Sequence, residues 1–113
     1  MNRDLQDRIP AILQDIARFA RSAERVVARG YEQFADAEDD DQRRIARSLI
    51  VDLSSAADRL PAEFKDEYPA INWSGIRAAR NFVAHDYDGT DEQTLWQALA
   101  VEYPKIVDVL GLN

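Results

Sequence analysis

The chain has no cysteine, a single histidine, four glycines and four prolines in 113 residues, and each shortage closes off a class of explanation. Without cysteine there is no disulfide framework, no thiolate nucleophile and no cysteine metal site, which fits a reducing compartment. No apolar run approaches the ~20 residues of a membrane span. The opening MNRDLQDRIPAILQ also lacks the basic region and apolar core of a secretory leader. A cytoplasmic protein with no membrane partner is therefore expected. Basic residues are outnumbered, 14 Lys and Arg against 21 Asp and Glu, for a net charge of −7. That balance argues against sequence-blind binding of long nucleic acid through a broad basic surface. Any contact with nucleic acid has to be local, at a small cluster of arginines.

What is present points to helices. Hydrophobic residues make up 46% and charged residues 31%, a globular composition rich in the helix formers Ala, Leu, Arg, Glu and Gln. The length suits one domain over residues 1–113. Leu5, Ile9, Ile12, Ile16, Phe19, Ala23 and Val26 recur every three or four residues, which predicts a long helix stopped at Gly30. Pro10 is either its first-turn proline or the joint of a kink. YEQFADAEDDDQRR reads as a loop, with Asp39 to Asp41 supplying the cap and charge for the next helix. That helix is expected from about Gln42 to Leu60, burying Ile45, Leu49, Leu53, Ala56, Ala57 and Leu60 and ended by Pro61.

PAEFKDEYPAIN reads as an irregular link pinned by Phe64, Tyr68 and Ile71. A third helix should start near Asn72 or Ser74, with Ile76, Ala79, Phe82 and Val83 toward the core, and leave through Asp88-Gly89. The fourth, from Asp91, should bury Leu95, Leu99, Val101, Ile106 and Val109 and kink at Pro104. No period-two alternation lasts long enough for a strand, so the expected fold is all-α, an antiparallel bundle of four main helices.

The lone histidine sits in RNFVAHDYDG, residues 80–89. At about 100° per residue, Arg77, Asn81, His85 and Asp88 share the polar face of the third helix, and His85 lies about 140° round from Arg80. Asn81 and His85, four apart, are placed to share a hydrogen bond that fixes the imidazole tautomer. Arginine and histidine together suit phosphate. Guanidinium grips the oxygens bidentately and stays cationic, and imidazole exchanges a proton near neutral pH. Nothing has metal-ligand spacing of the HExxH or Cys/His kind, though a carboxylate-held Mg²⁺ stays open. A cleavage that needs separate acid and base groups would require two copies of a one-histidine chain, hence a two-fold dimer. On spacing alone, a helix-end charge at His85 and an ion-pairing Arg80 account for the same residues. Likewise Arg77 and Asp86 read as solvated charges, and Tyr87 as a core-rim aromatic.

RNFVAHDY follows an arginine, four residues, histidine, one residue, tyrosine pattern, and through it the chain resembles the HEPN superfamily, more narrowly the HepT-like toxins of HepT–MntA toxin–antitoxin pairs. The likeness runs from Leu53 through Ile106 and includes RLP, the YP before the tryptophan, DYDGTD and the proline in the last helix. The first half follows the family in pattern only. The resemblance implies a homodimeric, metal-independent endoribonuclease with no cofactor, acting on RNA with Arg80 and His85 as the catalytic pair and Asn81 as the polar residue after the arginine. It implies that Tyr87 is the residue to which a partner, an MntA-type minimal nucleotidyltransferase, adds AMP. Arg77 is a further, weaker RNA phosphate contact. Relatives often carry Gly-Glu where this chain has Ser54-Ser55. The other function compatible with the resemblance is a non-catalytic HEPN module that binds nucleotide or a nucleotidyltransferase.

Overall fold

A computed structural model describes residues 3–85 and 92–113. The elements of the described residues are all helices, joined by short turns, with no strand among them. α1 (Arg3–Ala28) packs along α3 (Asp41–Arg59), and their direction follows from two cross-contacts. Asp15 of α1 meets Arg59 near the end of α3 at 3.4 Å, while Arg29, just past α1, donates to Gln42 at the start of α3 at 3.1 Å. The two helices are antiparallel. Ile12, Ile16, Ala20, Ala23 and Val26 form the buried stripe of α1, against Ala46, Leu49, Ile50, Leu53, Ala56 and Ala57 of α3. This is the one-sided apolar stripe of a bundle helix.

Pro10 does not start α1. The helix runs a further two turns toward the N-terminus, which excludes the first-turn reading. Gly30, at φ 93°, takes the left-handed backbone that L-residues avoid and turns the chain out of α1. The stretch expected as a loop then forms a short helix, α2 (Tyr31–Phe34). Its purpose in the packing is Phe34, 0% exposed, whose ring lies 5.2 Å from that of Trp96. Arg43 fastens the following turn by donating to the carbonyls of Phe34 and Asp36 at 2.6 and 2.9 Å. At the start of α3, Asp40 is the cap position but makes no side-chain cap bond. Asp39 Oδ1 instead accepts from the Asp41 amide at 3.0 Å. Ile45, expected in the core, is 39% exposed, because Gln42 and Ala46 turn inward in its place, with Gln42 satisfied by Arg29.

The expected link contains a short helix, α4 (Ala62–Asp66), flanked by the half-buried rings of Phe64 and Tyr68 at 5.0 Å and by buried Ile71. α5 (Trp73–His85) begins under Asn72, whose Oδ1 accepts from the Ser74 hydroxyl and the Gly75 amide, both at 3.0 Å. That cap requires glycine at 75, since a Cβ there would come within 2.5 Å of Asn72 Nδ2. α5 packs chiefly against α3.

The fourth expected helix is three pieces: α6 (Glu92–Gln97), a π-helical turn (Ala98–Glu102) and α7 (Tyr103–Leu110). Pro104 lacks an N–H and cannot serve an ordinary helical ladder. The wider i→i+5 turn ahead of it absorbs the mismatch. The extra residue rotates the faces, so Val101, expected inside, is 46% exposed, and Tyr103 enters the core. Its hydroxyl donates to the Leu49 carbonyl of α3 at 2.7 Å.

Candidate active site

α5 presents Arg80, Asn81 and His85 on exposed surface, with His85 as the last helical residue. The helix forms here because Ile76 is buried and Ala79 and Val83 are half-buried on the side facing the core. Phe82, expected on that side, is 42% exposed. It stands out from the surface between the turns that carry the arginine and the histidine. Arg80 Nη1 donates to Asn81 Oδ1 at 3.3 Å. Asn81 therefore braces the arginine, and the Asn81–His85 hydrogen bond anticipated from their spacing does not form. Tyr87, with Asp86, Asp88 and Gly89, lies outside the described residues.

Arg77 is engaged. Its Nη2 donates to Asp58 Oδ1 of α3 at 2.7 Å, and that hydrogen bond, followed by the carboxylate's charge, raises the guanidinium pKa above its ordinary value. Arg59, another cation of this side, points away toward Asp15 and the Ser55 carbonyl, each at 3.4 Å. Asp58 was not visible as a site residue in the sequence. It lies 19 positions before Arg77, and nothing in local spacing links the two.

Several cavities border α5 among the described residues. One, of about 270 Å³, is apolar and lined by Ile50, Leu53, Ile71, Ile76, Ala79 and Ile106, with neither Arg80 nor His85 in its wall. Another, also about 270 Å³, has a mixed polar and apolar lining and opens between α3, α4 and α5 around Asp58, Lys65 and Arg77. No group of three or more His, Cys, Asp or Glu is arranged to hold a metal ion among the described residues. No helix among them is long and apolar enough to cross a membrane.

Residues 12–111 match the model of the family Ribonuclease HepT-like. The chain belongs to that family. It is similar to a protein named "Putative RNase TTE0752" from Caldanaerobacter subterraneus subsp. tengcongensis, 28% identical over 64 residues, or 57% of this chain and 56% of that one. It is also similar to "Putative RNase MJ0127" from Methanocaldococcus jannaschii, 30% identical over 63 residues, 56% of this chain and 51% of the relative. The chain thus spans about half the length of the curated relatives it matches. No solved structure matches it. The family assignment and the all-helical bundle agree with one another.

Proposed function

We propose that this chain is a metal-independent endoribonuclease, the toxin half of a type VII-like toxin–antitoxin pair, with Arg80 and His85 as its catalytic residues and Asn81 bracing the arginine. The observation that carries this reading is the placement of Arg80, Asn81 and His85 on successive exposed turns of one helix, inside the segment that matches the ribonuclease family. RNA brings its own nucleophile. The 2′-hydroxyl oxygen attacks the adjacent phosphorus and the P–O5′ bond breaks. One imidazole takes the 2′-hydroxyl proton and an acid delivers a proton to the departing O5′. Arg80 holds the non-bridging oxygens as charge builds on them, where a fixed guanidinium stabilises the transition state more than the ground state.

Acid and base are two roles and the chain has one histidine, so the working unit is a homodimer whose two α5 faces share one cleft. Phe82, exposed on that helix, is a side chain such a dimer would cover. Tyr87 is the point of control. An MntA-type nucleotidyltransferase that attaches AMP to it adds bulk and negative charge to the RNA-cleaving site, which blocks an incoming phosphate by sterics and repulsion together.

The test is genetic and chemical. Expression of the wild-type chain should arrest growth, and Arg80→Ala or His85→Ala should abolish the arrest while circular dichroism stays unchanged. Co-expression with the nucleotidyltransferase should add mass in whole AMP units to the wild type and none to Tyr87→Phe. Arrest that survives His85→Ala overturns the catalytic assignment.

A further inference from the structure

The mixed cleft between α3, α4 and α5 brings basic residues together in an acidic chain. Ser54, Asp58, Lys65, Trp73, Ser74 and Arg77 line it. Trp73 Nε1 donates to the Lys65 carbonyl at 3.1 Å, which fastens α4 to the beginning of α5 and holds the lysine backbone at the cleft. Two basic residues and an indole therefore line one space, with Ser54 buried in its floor and the Ser74 hydroxyl donating to Asn72 at its rim; a lysine and an arginine suit a phosphate, and an indole suits a base. Arg77 precedes Arg80 by three residues, about 4.5 Å along the axis and about 60° round it. An extended strand with one phosphate at Arg80 passes Arg77 next.

As the structure stands, Arg77 is occupied by Asp58 at 2.7 Å. The carboxylate also sits in the cleft wall, where it repels an arriving phosphate. Neither member is sequestered: the Arg77 side chain is 64% and the Asp58 side chain 50% exposed, and ion pairs this open are weak and yield to competitors. A phosphate offers guanidinium the same bidentate geometry as a carboxylate.

We propose that Asp58 masks Arg77, and that the cleft of Lys65, Ser74 and Arg77 is a second RNA-phosphate site that fills only when Asp58 gives way. Asp58 is then a specificity-determining residue. It keeps the grip on the neighbouring nucleotide weak and salt-sensitive, so that binding depends on the Arg80–His85 face. This rests on the reading of that face as the RNA site.

The test uses the full chain and a short fluorescent single-stranded 2′-O-methyl RNA, which lacks the nucleophile, with anisotropy followed over a salt series. Asp58→Asn should bind severalfold tighter than wild type at low salt, and its plot of log affinity against log salt should steepen by about 0.7, the increment for one added phosphate contact on a single strand. Arg77→Gln should bind no tighter than wild type. The double variant should match Arg77→Gln, since the gain runs through that arginine. Glu24→Gln makes the same charge change on α1 and should behave as wild type. Asp58→Asn binding as wild type does overturns the proposal, and so does a gain that persists in the double variant. Cleavage of unmodified RNA is followed in parallel. RNA that is cut while Asp58→Asn binds as wild type removes the mask and leaves the nuclease reading. Tighter, Arg77-dependent binding by Asp58→Asn with RNA uncut supports the mask and removes the nuclease reading.

Discussion

Replacing Tyr103 with phenylalanine removes a single oxygen, and the structure sets both the size and the pH dependence of the effect. The Tyr103 side chain, 1% exposed, donates its hydroxyl to the Leu49 carbonyl at 2.7 Å. That carbonyl belongs to the interior of α3 and keeps its helical partner when the phenol leaves, so the loss near neutral pH is about 1 kcal/mol. At about 2.1 cal/mol/K of unfolding entropy per residue, this lowers Tm by about 4 °C for a chain of this length. Burial, and then the negative charge of Asp52, push the phenol pKa well above its ordinary range. In the unfolded chain the same group titrates near about 10. Below that pH both states hold the proton and the full contribution is present. Above it the unfolded state releases a proton that the folded state retains, so stability falls by up to about 1.4 kcal/mol per pH unit. At a pH of about 11 this loss exceeds the worth of the hydrogen bond. The order should therefore reverse: wild type more stable by about 1 kcal/mol at a pH of about 8, the phenylalanine variant more stable by a few tenths at about 11. Urea unfolding followed by circular dichroism at the two pH values reads this directly. A difference that stays constant across the range would refute the buried, un-ionised phenol as its source.

Three further perturbations probe other joints. Asn72→Ala removes the acceptor for Ser74 and Gly75 at the head of α5 and should cost about 1 kcal/mol, with Asn72→Ser recovering most of it, as thermal melts will show. Phe34→Ala opens a cavity in a fully buried site against Trp96, should cost about 3 to 5 kcal/mol, and should shift the tryptophan emission. Phe82→Asp touches an exposed side chain and should change chain stability by less than about 0.5 kcal/mol, yet it should move the sedimenting species from dimer to monomer.

Much of this molecule is legible in its sequence because most of its helices keep one period. Leu49, Leu53, Ala56, Ala57 and Leu60 lie in the core as their spacing predicts, as do Ile12, Ile16, Ala23 and Val26. The misplacements have distinct causes. Val101 was assigned by extending a 3.6-residue period through a segment that widens to a π-helical turn, and Tyr103 was missed for the same reason. Ile45 and Phe82 were placed by continuing the apolar spacing of their helices. Ile45 yields its inward position to Gln42, a polar residue made acceptable by Arg29 from another element, and Phe82 lies on a helix covered chiefly on its α3 side. Phe34 was hidden in an acidic stretch whose two large apolar groups, Tyr31 and Phe34, are a weak periodic signal. At the site, the shared helix of Arg80, Asn81 and His85 was visible from spacing, as was their exposure. The partners were not. Asn81 turns to its neighbour Arg80 and not to His85, and Arg77 finds Asp58 across 19 residues, a contact that only the packing of α5 on α3 creates.

The central claim is that α5 carries a metal-independent ribonuclease, and the chemistry of the cut ends tests it most directly. Purified wild-type protein, incubated with single-stranded RNA in excess EDTA, should leave 2′,3′-cyclic phosphate and 5′-hydroxyl termini, the products required when the 2′-oxygen is the nucleophile and O5′ the leaving group. Arg80→Ala and His85→Ala should leave the RNA whole. RNA that stays intact with the wild-type protein, or new ends produced equally by the His85→Ala protein, would contradict the account.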